Sequence, residues 1–593
     1  MSPRAALKHL VGLALLLADG ATAARAATPP AQAGAAPAPP KAVAIYPEVL
    51  RVEEVASPLG VVVTDSPAAS AAGVRMLEQG GNAIDAAVAA AFTLGATEYG
   101  GSGIGGGTFM LVHLADGRTL AIDGACIVPV AVDPPALQRL RESDQLYGHA
   151  CAAVPGSLAA LDYALAAYGT KTLSEVLAPA IEAAEYGASM SPIGRDFIDY
   201  YLIRIWRNEY LAALLLKDGA SLWEQEHRYC FLDLARTLRR LAARGAADFY
   251  RGGIAREIEK DMVKNGGPVR RADLARLRAA EKQPVRGSYR GLEVLAYPAP
   301  AAGVAVIEAL QILERFPPEL LRDDSVDRLH LLLEANRLAA ADLALADRSS
   351  PMVGWQLQKK EHATRRAALI RFDRALTQAE ISPPKSAPWE GEDTTQVSVA
   401  DALGNAVSLT QTLSRAYGVA AAAPSLGFPY NSALEGFDYK NPEGPLYPRP
   451  FREAPVPLAP TMVLRDGRPL LMVGSAGSGR IPSSVVATIV NVVDRQMCLR
   501  DAIGAPRALW SGVISNKGYV EMAAPITLEQ VDTLEKRGFW NLVRQFFPAR
   551  PDEVAAGGDT NAVLVDFSTG LLIGAGDPRR QGVARGVSGR PSR

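Results

Sequence analysis

Between Asp393 and Gly418 the chain reads DTTQVSVADALGNAVSLTQTLSRAYG, and no other stretch constrains the fold as strongly. Thr394 to Ala400 alternates like a strand, Asp401, Gly404 and Asn405 supply turn chemistry, and Ala406 to Leu413 returns as the partner strand. The expectation is a hairpin with Thr394 opening its first arm. A threonine hydroxyl is a poor nucleophile until a base takes its proton, and a chain break before Thr394 would put that base, a free α-amine, on the same residue. Such amines titrate near about 7.7 to 8.0, so a useful fraction is neutral close to pH 7. No histidine is then required. The six in the chain, His9, His113, His149, His227, His330 and His362, all precede Thr394 and form no catalytic spacing. Taken locally, Thr-Thr at a strand start is also ordinary sheet chemistry, and both readings stay open at this level.

The spacing of Thr394-Thr395, Ser398-Val399, Gly404-Asn405, Val407-Ser408, Thr410, Thr412-Leu413 and Tyr417-Gly418 resembles the start of the small subunit in the γ-glutamyltranspeptidase family. Gln396 stands where that family usually has histidine, and Ser414 where it has asparagine. Further matches run along most of the chain: Gly80 to Ala87, Gly105 to Leu111, Asp248-Phe249-Tyr250, Asn265-Gly266-Gly267, Ala459-Pro460-Thr461 and Gly574 to Arg579. The resemblance implies an α+β fold, the four-layer αββα sandwich of the N-terminal nucleophile hydrolases. It also implies self-cleavage between Asp393 and Thr394, giving a large subunit, 44–393, and a small one, 394–593, that stay associated. Thr394 would be the catalytic nucleophile, Thr412 its supporting hydrogen-bond partner, and the backbone N–H groups of Gly477 and Ser478 the oxyanion donors. The expected substrate is a small γ-glutamyl or related acyl amide, and the acyl-enzyme passes to water or an amine acceptor. No metal or organic cofactor is implied.

The groups that would recognise glutamate are changed. Ala125 replaces the carboxylate-binding arginine, Gly436 falls at the amine-binding acid with Glu435 beside it as a substitute, and Val456-Pro457 replace a serine pair. Glu435 and Ser414 are the remaining candidate substrate contacts. Losing a bidentate arginine clamp and several polar contacts weakens specificity for γ-glutamyl groups more than it weakens the chemistry. Two alternatives follow: an acylase with non-glutamyl specificity, and an unprocessed, non-catalytic relative that binds a ligand or partner.

Residues 1–26 read as a secretory signal peptide, with Arg4 and Lys8 before an apolar stretch and Ala21-Thr22-Ala23 or Ala24-Arg25-Ala26 before the cut. A Pro/Ala-rich spacer, 27–43, follows. The expectation is a secreted protein without a stable membrane anchor, periplasmic in a Gram-negative source. A net charge of -1 gives no general attraction to nucleic acid, and Arg236 to Arg244 reads as the solvated face of an amphipathic helix. The four cysteines, Cys126, Cys151, Cys230 and Cys498, contain no CxxC pair. Export permits disulfides, and the resemblance makes Cys126 and Cys151 the pair to examine, with buried free thiols as the alternative. Gly101 to Gly106 satisfies GxGxxG, but it leaves a helix and opens a strand, the reverse of a dinucleotide-binding loop.

Helices are expected over 68–80, 83–94, 482–495 and 528–537, with mainly helical structure over 157–336 and hairpins turned at Asp116-Gly117, Asp466-Gly467 and Ser568 to Gly570.

Overall fold

The alternation around Thr394 becomes the central hairpin of a sheet in the computed structural model, which describes residues 52–143, 145–346, 355–381, 393–511, 517–545 and 558–588. The leader and spacer at 1–26 and 27–43 lie outside the described residues, which all belong to one unit.

In chain order the principal strands are β1 (Glu54–Ser57), β2 (Gly60–Thr64), β3 (Gly107–His113), β4 (Thr119–Gly124), β5 (Ala280–Lys282), β6 (Val285–Tyr289) and β7 (Leu292–Ala296). After them come β8 (Asp393–Asp401), β9 (Ala406–Ser414), β10 (Thr461–Arg465), β11 (Arg468–Ala476), β12 (Asp559–Asp566), β13 (Leu571–Ala575) and β14 (Val583–Gly586). They form two seven-stranded antiparallel sheets, β14-β2-β8-β9-β3-β4-β5 and β1-β13-β12-β11-β10-β7-β6. The sheets pack face to face where β8 and β9 cross β11. On the outer side of the first sheet lie α1 (Pro67–Glu78), α2 (Ala83–Thr97), α3 (Ser157–Tyr168), α4 (Leu173–Tyr186) and α5 (Leu232–Arg244). On the outer side of the second lie α6 (Gly303–Leu313), α7 (Val326–Leu345), α8 (Lys360–Ala367) and α9 (Ile481–Val493). This is the expected αββα order.

The strand period explains the layering. Val397, Val399, Val407 and Leu409 point into the apolar cluster under α2. Their neighbours Gln396, Ser398, Ser408 and Thr410 point between the sheets and remain buried because they are hydrogen-bonded there. Ser398 Oγ donates to Asn561 O at 2.9 Å, Ser408 Oγ to Val473 O at 3.0 Å, and Thr410 Oγ1 to Gln396 Oε1 at 2.7 Å. Gly474 on β11 leaves room for Gln396, since a Cβ there would stand 2.1 Å from Oε1.

Local chemistry sets the ends of the elements. Asn82 caps α2 and Asp85 returns the bond to Asn82 N–H at 2.8 Å, a capping box that starts the expected helix. Asp401 Oδ1 accepts from Leu403 and Asn405 N–H, while Oδ2 accepts from Ala83 N–H at 2.9 Å, so the hairpin turn also anchors α2. The segment 157–336 is mainly helical, as expected, and also contains β5, β6 and β7. Its tight β6–β7 turn rests on Arg290 (φ 51°) and Gly291 (φ 83°), a weaker sequence cue than Asn-Gly. On α5 the basic run is a charged outer face, with Arg240 pairing Glu257 at 2.7 Å and Arg239 pairing Glu185.

All four cysteines are free thiols, so the Cys126–Cys151 pair is not formed. Cys126 packs beside Gly107 on β3, and Cys151 ends the turn His149–Cys151. Each is buried as a small apolar group, and burial pushes both thiols up, Cys126 to about 12. Among the described residues no helix is long and apolar enough to cross a membrane.

Candidate active site

Thr394 sits at a register break. Asp393 pairs with Ser414 and Thr395 with Gln411, so β9 contains one more residue than β8 across this step. Such a bulge twists the strand and re-aims side chains, and here it sets two hydroxyls against one carbonyl. Thr394 Oγ1 lies 2.7 Å from the Asp393 carbonyl oxygen and 3.3 Å from Thr412 Oγ1. Thr412 Oγ1 donates to the same carbonyl at 2.6 Å and accepts from Ser414 N–H at 2.8 Å. Asp393, Thr394 and Thr412 are at most 4% exposed, so these bonds are shielded from water.

The glycine-rich loop is folded over this point. Leu413 N–H donates to Gly101 O at 3.2 Å and Tyr417 N–H to Gly100 O at 2.7 Å. A Cβ at Gly106 would stand 2.2 Å from Thr412 O, and one at Gly101 would stand 3.0 Å from Asp393 Oδ2. The motif therefore serves close backbone approach to the Asp393–Thr394 bond.

A buried ionic cluster lies on the other side. Arg580 Nη1 donates to Asp393 Oδ1 at 2.6 Å and to Thr394 O at 3.1 Å. Burial raises the Asp393 carboxyl against the pull of Arg580. Burial alone would lower Arg580, but Asp393, Asp559 and Asp65 outweigh it and hold the guanidinium firmly charged. Glu98 is pushed up by burial and then by Asp393 and Asp65, and Asp559 by burial and then by Asp65. Asp65 itself accepts from Gln396 N–H at 3.0 Å and from Asn561 Nδ2. Arg580, Asp65, Glu98 and Asp559 were not singled out in the sequence. They come from widely separated segments, and the only cue was that Arg580 directly follows the Gly574 to Arg579 motif.

Gly477 (φ 118°) and Ser478 (φ 60°) turn the chain at the end of β11, the strand that crosses β8. The hydrogen bonds around Thr394 in the uncut chain run instead to Asp393, Thr412 and Arg580. Ser414 (φ 79°) closes β9. Glu435 is partly buried in an ion pair with Arg415, while Arg141 donates to the carbonyl oxygens of Glu435 at 2.5 Å and Phe437 at 2.8 Å. Burial raises the Glu435 carboxyl despite Arg415.

Beyond Glu435, a Cβ at Gly436 would approach Pro455 O at 3.0 Å. Pro455 and Phe437 line a cleft of about 640 Å³ whose walls also include Pro300 and Phe451. Two of its lining charges pair, Lys282 Nζ lying 2.6 Å from Glu453 Oε2, and Lys282 also lies 2.7 Å from Asp123 Oδ2. Burial and the neighbouring Asp123 push Glu453 up to about 7. Ala125 and Val456, at two positions of the missing polar contacts, are buried.

A family profile described as Gamma-glutamyltranspeptidase matches residues 69–587. The Acylase ACY 1 proenzyme of Pseudomonas sp. (strain V22) is 36% identical over 544 residues, covering 89% of this chain and 94% of that protein. The Glutathione hydrolase proenzyme of Escherichia coli (strain K12) is 32% identical over 570 residues, covering 92% and 94% respectively. Among solved structures, a cephalosporin acylase from Bacillus halodurans superposes with a TM-score of 0.80 at 26% identity, covering 92% of this chain and 98% of that one.

Proposed function

Because this chain belongs to the gamma-glutamyltranspeptidase family, whose members are hydrolases and acyltransferases, we propose that it is a self-processing threonine amidase acting on acyl groups less polar than γ-glutamyl. The observation that carries the chemistry is the convergence of the Thr394 and Thr412 hydroxyls on the Asp393 carbonyl. In the first reaction Thr394 Oγ attacks the Asp393 carbonyl carbon and the C–N bond breaks. The nitrogen takes the proton, leaving an ester and a free amine. Water then opens the ester, and Asp393 becomes the carboxyl end of the large fragment.

In the mature enzyme that amine takes the hydroxyl proton as Thr394 Oγ attacks a substrate amide. The N–H groups of Gly477 and Ser478 hold the oxyanion, the leaving amine receives the proton, and water or another amine collects the acyl group. The acyl preference rests on Ala125, Gly436 and Val456, on the occupation of Glu435 by Arg415, and on the largely apolar cleft beside them. The acylase among the relatives and the cephalosporin acylase among the structures support the same reading. The leader-like residues 1–26 support export as its setting.

A gel and intact masses test the first step: the purified protein should give two fragments separating at Asp393/Thr394, and Thr394→Ala should leave one chain. A wild-type chain that stays whole on prolonged incubation would favour the non-catalytic reading. Cleaved enzyme offered γ-glutamyl, simple acyl and β-lactam side-chain amides should prefer the latter two, and efficient glutathione hydrolysis would refute the acyl assignment.

A further inference from the structure

Arg580 stands where the bond to be cut, the nucleophile and several carboxylates meet. Its guanidinium reaches Asp393 Oδ1 and the Thr394 carbonyl oxygen, and the side chain is only 4% exposed. The titratable groups around it come from every neighbouring element: Asp65 after β2, Glu98 after α2, Asp393 on β8 and Asp559 on β12. Phe197 lies against the guanidinium, and Tyr417 adjoins Asp393 and Glu98. Glu98 and Asp559 are biased toward their neutral acids by burial. Asp65 accepts from both Gln396 N–H and Asn561 Nδ2.

Scission changes this balance. Asp393 then ends one fragment with a new α-carboxylate and Thr394 begins the other, so a new amine appears beside Arg580, within the field of Asp65 and against the Asp393 side chain, whose Oδ1 accepts from Thr394 N–H at 2.9 Å. The nitrogen and carbonyl oxygen of one residue lie about 3 Å apart, which puts the guanidinium roughly 5 Å from that amine. A nearby anion favours the ammonium form, and a nearby cation favours the neutral amine that can accept a proton. Resting on the threonine-amidase reading above, we propose that Arg580 is a positioning residue for the catalytic base: its fixed charge keeps the released α-amine of Thr394 neutral at working pH against the surrounding carboxylates. A cation at that distance lowers an amine by about one to two pH units.

The test is the pH dependence of acetylation of the small fragment's N-terminal amine by acetic anhydride, read by mass spectrometry on cut enzyme. The pH profile of kcat/KM is recorded beside it. In wild type the amine midpoint should fall at or below the ordinary terminal range of about 7.7 to 8.0. Arg580→Met should raise that midpoint by about one to two pH units and carry the acid limb of kcat/KM with it, while Arg580→Lys should stay near wild type. A wild-type midpoint above the ordinary range overturns the proposal, even if Arg580→Met fails to fold or to cut. So does an Arg580→Met enzyme that is slower at every pH with an unmoved midpoint, the mark of a merely structural arginine. A wild-type chain that never separates at Asp393/Thr394 overturns the threonine-amidase reading first and this proposal with it, and the gel shows that before any titration.

Discussion

Replacing Thr412 by valine should nearly stop self-cleavage while leaving the fold in place. The Thr412 hydroxyl donates at 2.6 Å to the Asp393 carbonyl oxygen, the atom that becomes negative when Thr394 Oγ attacks. Valine keeps the β-branched shape that suits the strand, so the change removes the donor without removing the side chain's bulk. One preorganised donor to an oxyanion is worth about 2.7 to 4 kcal/mol, so cleavage should slow by about 10²- to 10³-fold. The same substitution strips Ser414 N–H of the acceptor it meets at 2.8 Å. That costs about 1 to 3 kcal/mol of stability, so Tm is measured alongside. A methionine-labelled pulse in cell-free translation, chased and resolved on a gel, gives the rate. Thr412→Ser should cleave at a rate close to wild type. A Thr412→Val chain that folds and cleaves within about threefold of wild type would refute the assignment of this hydroxyl to the scissile carbonyl, since one lost donor should cost far more.

Glu453, held up to about 7, makes the cleft more negative as pH rises through that value. The KM for anionic acyl amides should climb across this range while neutral ones stay flat, and Glu453→Gln should abolish the difference. His362 lies 3.1 Å from Glu308 Oε1 and 2.9 Å from Asp342 Oδ2, which raise it to about 9. Its folded value exceeds the unfolded one, so its stabilisation, at most about 3 kcal/mol, is complete below about pH 6.5 and is lost as pH rises through about 9. The gap in Tm between wild type and His362→Ala should shrink over that window, and a constant gap would contradict it. Four thiols should react with Ellman's reagent after denaturation without reductant, because none is paired. A count of two would restore a disulfide.

The hairpin carrying Thr394 was legible because its evidence is local: alternation, turn residues and a partner strand lie within one short run. Thr412 stood out only through the family resemblance, and the alternation does not reveal that β9 contains an extra residue between Ser414 and Gln411. That bulge gives the two hydroxyls a shared target, and one additional residue leaves almost no mark on a period-two pattern. The α2 start was equally readable from Asn82 and Asp85, since a capping box spans only a few positions. Arg580 was not legible. It lies 187 positions from Asp393 in the chain, and nothing in an arginine's own sequence neighbourhood announces which carboxylate it will meet. The close approach of Gly101 and Gly106 to Asp393 and Thr412 is not legible in the sequence, because it exists only once β3 has paired with β9.

This division between local and assembled features bears on how such a site changes function. The Thr394 and Thr412 hydroxyls and the Asp393 carbonyl they meet are held by the register of β8 on β9, and a buried cluster around Arg580 pairs with the strand end. On the acylase proposal, recognition would be gathered from the segments around Ala125, Glu435-Gly436 and Glu453 to Val456, of which Glu453 and Pro455 line the cleft. On that proposal, Ala125 and Val456 stand where the resemblance places polar substrate contacts, and both are buried without disturbing a strand. The Arg415–Glu435 pair, with Arg204 and Arg141 nearby, then occupies the carboxylate that stands beside Gly436. If the acylase proposal holds, specificity drifts at these positions while the threonine geometry stays fixed, and a member of a γ-glutamyl family becomes an acylase without rebuilding the hairpin that carries Thr394.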